Sequence, residues 1–179
     1  MATVRFMGRR DVETHCPISP THLVSISDGD DDQAQIVQSR WASISFEYFV
    51  DGEYDETQML MFGEKFPVSF QDYLLPPQAE SLRSLVDRLA STRLDIVVNC
   101  QAGRSRSAAV ARYISELHGY DLKQETPEAN QTVLRLLRHD SLLYSTYRDV
   151  TSPSPNEQKA GGGVRAFLKL LGLWAPSRQ

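Results

Sequence analysis

The segment Leu94-Asp-Ile-Val-Val-Asn-Cys100-Gln-Ala-Gly-Arg-Ser-Arg106-Ser107 decides the fold, because it leads from a strand through a tight loop into a helix. Its first half holds a β-branched run, Ile96 to Val98, of the kind found in buried strands. Beyond the loop, apolar residues recur at helical spacing as far as Leu117, and Gly119 follows where a helix typically ends. The segment therefore predicts a strand–loop–helix unit.

The loop of this unit has the residues of a phosphate-binding cradle. A loop that closes onto a helix N-terminus directs several backbone N–H groups at one point, where the helix dipole adds positive charge. Gly103 suits the positive φ of so tight a loop, and the guanidinium of Arg106 can clamp two phosphate oxygens. The same environment lowers the pKa of Cys100, so a thiolate forms that can attack phosphorus. Ser107 can donate a hydrogen bond to that sulfur.

The pattern Cys-x-x-Gly-x-x-Arg-Ser, present here from Cys100 to Ser107, resembles the signature of the cysteine-dependent protein tyrosine and dual-specificity phosphatases, and most of all the dual-specificity branch. The resemblance covers roughly residues 4–137 and is strongest over 72–117. It implies hydrolysis of phosphotyrosine, and also of phosphoserine or phosphothreonine, in a protein or phosphopeptide substrate. It implies no cofactor. The phosphate-binding loop would comprise Gln101, Ala102, Gly103, Arg104, Ser105 and Arg106.

The residue before the cysteine departs from the family pattern. The family usually has His at this position, where it helps to organise the loop and to lower the pKa of the thiol. This chain has Asn99, which can donate a hydrogen bond but carries no charge. The departure predicts weaker activity, or an optimum at a somewhat higher pH.

The resemblance also implies a general acid, an aspartic acid on a loop that protonates the leaving oxygen. We expect this residue to be Asp72, which lies 28 positions before Cys100 in a family-like Phe-x-Asp context. Asp51 and Asp55 are the alternatives, although both are more simply interpreted as residues of a turn.

Two other functions remain open at this point. A phosphoinositide or inositol-phosphate phosphatase is the first, because Arg104 stands where lipid phosphatases often carry a basic residue. The neutral Gln101 weakens that interpretation. A non-catalytic pseudo-phosphatase that binds phosphorylated proteins is the second, but both Cys100 and Arg106 are intact.

Composition narrows the range of partners. The 179 residues carry a net charge of −4, which does not favour nucleic-acid binding. Two cysteines, Cys16 and Cys100, indicate a reducing compartment rather than a disulfide framework. The sequence shows neither a signal peptide nor an apolar run long enough to span a bilayer, and no histidine pair has metal-ligand spacing. We therefore expect a soluble, cytoplasmic protein without a metal site.

Periodicity predicts an α/β fold, with a central mixed, mainly parallel sheet flanked by helices. A β-hairpin elaboration is expected at residues 41–62, with strands at 41–50 and 58–62 joined at Asp51-Gly52. That hairpin fits either a substrate-specificity flap or a solvent-exposed extension. The other predicted strands are 4–7, 23–27 and 66–70, and the other predicted helices are 77–90, 126–137 and 141–148.

The C-terminal residues differ in composition from the rest of the chain. We expect a phosphatase-like domain over residues 1–150, a flexible linker over 151–163 and a short amphipathic appendage over 164–179. The appendage has an apolar face and two cations, Arg165 and Lys169. Two cations give only marginal attraction to a membrane, so we expect docking on protein rather than membrane contact.

Overall fold

The computed structural model describes residues 1–152, which form a four-stranded sheet with helices on both faces. The strand order is β1-β4-β2-β3, and every neighbouring pair is parallel. A parallel sheet needs crossover connections, which here cover both faces and bury the strands. The strands are β1 Val4–Gly8, β2 Thr21–Ser27, β3 Ser43–Tyr48 and β4 Asp95–Cys100.

Seven α-helices accompany the sheet within the described residues. Helix α5 ends as its sequence predicts, because Gly119 adopts the left-handed conformation with a φ of 68°. Three short 3-10 turns lie at 30–32, 38–40 and 63–65. The helices are α1 Arg9–Thr14, α2 Glu56–Phe62, α3 Phe66–Ser69, α4 Pro76–Ser91, α5 Arg106–His118, α6 Gln131–Leu137 and α7 Ser141–Thr151.

The two faces of the sheet bury two separate apolar clusters. On one face, Val98 and Cys100 of β4 belong to the large cluster that includes helices α4 to α7. On the other face, Val97 packs in a smaller cluster with Val12 of α1 and Trp41. The chain thus leaves β1 towards one face and leaves β4 towards the other. Such a switch point opens a crevice at the carboxyl ends of the strands, which is where ligands bind in open α/β sheets.

The structure confirms the α/β class but not the predicted β-hairpin or the mixed character of the sheet. Residues 43–48 do form a strand, yet β3 pairs in parallel with β2. The predicted returning strand at 58–62 is instead helix α2. The Asp55 side chain caps this helix by accepting a hydrogen bond from the Gln58 N–H. In turn, the Gln58 side chain accepts a hydrogen bond from the Asp55 N–H. This capping box starts a helix where the apolar run alone indicates a strand.

Other element predictions have mixed outcomes. The strand predicted at 66–70 is wrong, because this segment is the short helix α3, with Pro67 in its first turn. The helix predicted at 126–137 begins only at Gln131, where the Asn130 side chain accepts a hydrogen bond from the Val133 N–H. Strands β1 and β2 and helices α4, α5 and α7 occur where they are predicted, with differences at their ends.

The predicted appendage and most of the predicted linker lie outside the described residues. Within residues 1–152, no helix is both long enough and apolar enough to cross a membrane.

Candidate active site

The loop between β4 and α5 curls back against the neighbouring edge strand. Gly103 has a φ of 69°, a conformation that favours glycine. A Cβ atom on Gly103 would lie 2.1 Å from the backbone nitrogen of Gly8, so no larger residue fits there without moving the backbone. The Arg9 N–H also donates to the carbonyl of Gln101 over 3.3 Å. The tight loop predicted from the sequence is therefore held in place by β1 and the start of α1.

Cys100 lies at the floor of this loop, with 1% of its surface exposed. Its Sγ atom is 3.1 Å from the hydroxyl of Ser107. Burial alone raises the pKa of the Cys100 thiol. Hydrogen bonds from the Ser107 hydroxyl and from the backbone N–H groups of Ser107 and Gly103, together with the charge of Arg106, more than offset that effect, so the pKa lies below its ordinary value.

The Arg106 side chain is almost fully buried, with 3% exposed. One terminal nitrogen, Nη1, donates to Oδ1 of Asp28 over 2.6 Å and also to the carbonyl of Phe49. The Nε atom is buried and has no hydrogen-bond partner among the described residues. A buried guanidinium N–H without a partner is costly, and an anion in the loop could supply the missing acceptor.

Asp51 follows strand β3 and reaches the rim of the loop. Its Oδ1 atom accepts hydrogen bonds from the Ser105 hydroxyl over 2.7 Å and from the Asn130 side-chain amide over 3.1 Å. The Asn130 backbone N–H donates to the Ser105 carbonyl over 3.3 Å. Asn130 therefore connects Ser105 of the loop with the carboxylate of Asp51.

The other two candidate acids have different surroundings. The Asp55 carboxylate is engaged in the cap of α2. Asp72 belongs to the turn between α3 and α4, and its carbonyl accepts a hydrogen bond from the Val50 N–H over 2.8 Å. Within residues 1–152 the Asp72 carboxylate forms no hydrogen bond with the loop. The backbone of Asp72 thus bonds to Val50, the residue before Asp51, but the Asp72 side chain does not contact the loop.

Two polar side chains are buried near the carboxyl ends of the neighbouring strands β4 and β2. Asn99 and Ser25 are register partners on β4 and β2. The Oδ1 atom of Asn99 and the hydroxyl of Ser25 have no hydrogen-bond partner among residues 1–152. Asn99 therefore offers no charge to the loop, and its Oδ1 atom has no hydrogen-bond partner among residues 1–152.

Comparisons with known proteins give only distant structural similarity. The chain is similar to the human tyrosine phosphatase-like serine/threonine/tyrosine-interacting protein, with a TM-score of 0.44 and 16% identity over 71% of this chain and 80% of that one. It is also similar to Tk-PTP in the active form, with a TM-score of 0.42 and 10% identity over 84% of this chain and 92% of that one. No family model and no curated protein matches the sequence. Function must therefore be argued from the site.

Sequence reasoning missed one residue of this site. Asp28 follows β2 directly, at the carboxyl end of a predicted strand, and its carboxylate holds the Arg106 guanidinium. A polar residue directly after a predicted parallel strand is a signal for a site residue. Asp28 also belongs to the acidic run 28–32, however, and such a run is typical of a solvated turn. No cluster of three or more His, Cys, Asp or Glu residues suited to a metal occurs among the described residues.

Proposed function

We propose that this protein is a phosphomonoester hydrolase that acts through a phosphocysteine intermediate, with phosphotyrosine in proteins as its main substrate. The proposal rests on the buried Arg106, whose Nε atom has no hydrogen-bond partner among residues 1–152, and on Cys100, whose Sγ lies 3.1 Å from the Ser107 hydroxyl and whose pKa is lowered. This arrangement offers an anion several donors, and it offers the phosphorus atom a thiolate.

In the first step the Cys100 thiolate attacks phosphorus, and the bond from phosphorus to the ester oxygen breaks. Arg106 and the loop N–H groups stabilise the charge that develops on the phosphoryl oxygens. We assign the proton donated to the leaving oxygen to Asp51, because its carboxylate already contacts loop residue Ser105. Asp72 remains the alternative acid.

In the second step water attacks the phosphocysteine and releases inorganic phosphate. The same aspartate, now ionised, takes the proton from the water. The sulfur departs as a thiolate, and the Ser107 hydroxyl, 3.1 Å from Sγ, donates a hydrogen bond to it. All charges and protons return to their starting positions.

An activity on phosphoinositides is less favoured. That hypothesis depends on Arg104 as the ligand of a second phosphate. In the structure the Arg104 Nε atom forms a salt bridge of 3.3 Å with the Glu128 carboxylate. A second phosphate would have to displace this carboxylate, whose like charge opposes its approach.

The test is phosphate release from a panel of phosphopeptides and phosphoinositides by the full chain. Cys100→Ser should keep the fold and bind phosphopeptide without turnover, and Arg106→Ala should lose several orders of magnitude in kcat/KM. Substantial turnover by Cys100→Ser would contradict the mechanism. Binding by the wild type without any turnover would instead indicate a pseudo-phosphatase.

A further inference from the structure

A groove of about 600 Å³ runs along the outer edge of β1 and ends at the phosphate loop. Its lining includes Val4, Phe6 and Gly8 of the strand, Ala102 and Gly103 of the loop, and Gln124. We call this cavity the β1 groove. Because β1 is the edge strand of the sheet, every second residue directs its backbone N–H and C=O groups into the groove rather than towards β4.

Part of this edge is already paired by a short stretch of the chain. The Val4 N–H donates to the Asp121 carbonyl over 3.1 Å, and Thr3 and Asp121 form an isolated parallel bridge. The main chain makes no further bridge with β1 after Asp121 among the described residues. The edge is therefore covered by backbone at its beginning, where Asp121 pairs with it, and at its end, where Gly103 of the loop lies against Gly8. Between these two points, at Phe6, no backbone of the described residues pairs with it.

At the next outward position a side chain occupies the place of a strand. The Phe6 N–H donates to Oε1 of Gln124 over 3.0 Å, and Nε2 of Gln124 donates to the Phe6 carbonyl over 2.9 Å. This donor and acceptor pair has the pattern that a neighbouring strand would present. Gln124 is exposed, so its amide can swing into water while another backbone takes its place.

We propose that the β1 groove binds an extended peptide segment, which replaces the Gln124 amide and pairs with the backbone N–H and C=O groups of Phe6. The inference rests on the proposed function, in that the bound segment flanks the phosphorylated residue of the substrate. Gly103 lies against Gly8 and closes the groove there, so a strand paired at Phe6 ends within a few residues of the loop. At about 3.3 Å per residue, one short flanking segment spans the groove.

The chemistry of the groove favours a polypeptide over other ligands. The groups on offer at Phe6 are one N–H and one C=O, a combination that matches backbone and carries no charge. Asp121 and Lys123 on the rim pair with each other at 3.8 Å, which leaves little net charge there for an anionic ligand. Backbone pairing also makes the site tolerant of sequence, so it would contribute affinity to many phosphopeptides.

The experiment compares free phosphotyrosine with a ten-residue phosphotyrosine peptide and with copies of that peptide that carry one N-methyl group at successive backbone positions. We expect the peptide to have a KM about tenfold below that of free phosphotyrosine. N-methylation at a single backbone position on one side of the phosphotyrosine should remove this gain, because the Phe6 carbonyl accepts from one peptide N–H. Equal KM values for the peptide and free phosphotyrosine, or similar losses at every methylated position, would overturn the inference.

Two matched variants test the role of Gln124. Gln124→Ala removes the competing amide, so the peptide KM should fall about threefold while that of free phosphotyrosine stays unchanged. The control is Gln78→Ala, which removes a comparable amide from the Tyr48 carbonyl at the other edge of the sheet. Equal effects of the two variants on the peptide KM would count against the β1 groove. The N-methyl series on the wild type needs no variant to fold.

Failure of the proposed function would give a different result. If the wild type hydrolyses none of these substrates, the proposed function fails. Fluorescence anisotropy of the labelled peptides then measures their binding to the β1 groove without any need for turnover. A loss of affinity confined to one position of the N-methyl series would still support pairing with Phe6, and its absence would exclude it. Turnover of free phosphotyrosine without any gain from the peptide would exclude the groove alone.

Discussion

The hydroxyl of Ser107 lies 3.1 Å from the Cys100 sulfur, and its hydrogen bond lowers the pKa of that buried thiol. We expect Ser107→Ala to raise the pKa of Cys100, since the buried sulfur would lose a donor that prefers the charged form. Ultraviolet thiolate absorption as a function of pH measures this value, with Cys100→Ser as the blank. Ser105→Ala is the control, because the Ser105 hydroxyl faces Asp51 instead of the sulfur. Equal midpoints in the two variants would remove Ser107 from this role.

The carboxylates of Asp51 and Asp72 are the two candidates for the general acid. Asp51→Asn should slow hydrolysis of phosphotyrosine about a hundredfold or more, the usual value of positioned acid catalysis. It should slow hydrolysis of a fluorinated coumarin phosphate much less, because that leaving group needs no proton. Asp72→Asn is the matched variant and should have a small effect on both substrates. A selective loss in Asp72→Asn alone would move the role to Asp72.

Single residues of the site were predictable to different degrees. Cys100, Arg106 and Ser107 follow from a local pattern, because loop and helix N-terminus are adjacent in the sequence. Asp28 and Asp51 approach the loop from other strands, 78 and 54 positions away from their partners Arg106 and Ser105. No local pattern encodes such contacts. They follow only once the order of the parallel strands is known.

At the scale of elements, the loop between β4 and α5 packs closely against β1 at Gly103 and Gly8. A comparison of Gly103 with Gly119 distinguishes the effect of this contact from the effect of backbone conformation. Gly103 and Gly119 both have a positive φ, but a Cβ on Gly119 would meet nothing within 4 Å. Gly119→Ala should therefore lose only about 1 kcal/mol of unfolding free energy. Gly103→Ala should also force the loop away from Gly8. We expect the wild type and Gly119→Ala, but not Gly103→Ala, to gain thermal stability from added inorganic phosphate.

Phosphate binding by Gly103→Ala as tight as that of Gly119→Ala would contradict this account. It would mean that the loop keeps its donors in place without its contact with β1.

The strand mispredicted at residues 58–62 has a clear physical cause. The run from Gln58 to Phe62 is apolar enough for a strand, but only Met59 is buried in α2, while Leu60 and Met61 face solvent. Apolar content therefore misleads where apolar side chains lie outside the core. The signal that does predict this helix is Asp55 followed by Gln58, a capping pattern that needs no tertiary context.

At the scale of the whole molecule, the segment after Asp51 is attached to the start of α6. The Tyr54 N–H donates to the Thr132 hydroxyl over 3.0 Å, and that hydroxyl donates to the Tyr54 carbonyl over 2.8 Å. Asn130 adds its bonds to Asp51 and Ser105. The candidate acid and the phosphate loop are thus positioned by the same helix terminus, so the stability of the helical layer bears directly on the site.

Arg135 is the ion-pair centre of that layer. It pairs with Glu56 at the start of α2 and, over 2.9 Å, with Asp140, which caps α7. Its hydrogen bonds hold the pKa values of both carboxyls below their ordinary range. Carboxyls with a lowered pKa in the folded state stabilise it at pH values above their unfolded pKa, about 4. That contribution disappears as the pH falls through the lower, folded values.

We therefore expect Arg135→Gln to lower the unfolding free energy by about 1 kcal/mol at neutral pH, and to have little effect well below pH 4, where the carboxyls are protonated. Urea unfolding at the two pH values measures the difference. Arg83→Gln is the control, because its pair with Glu80 joins residues of one helix and should matter less at neutral pH. A loss for Arg135→Gln that is the same at both pH values would show that Arg135 stabilises the layer by packing rather than by charge.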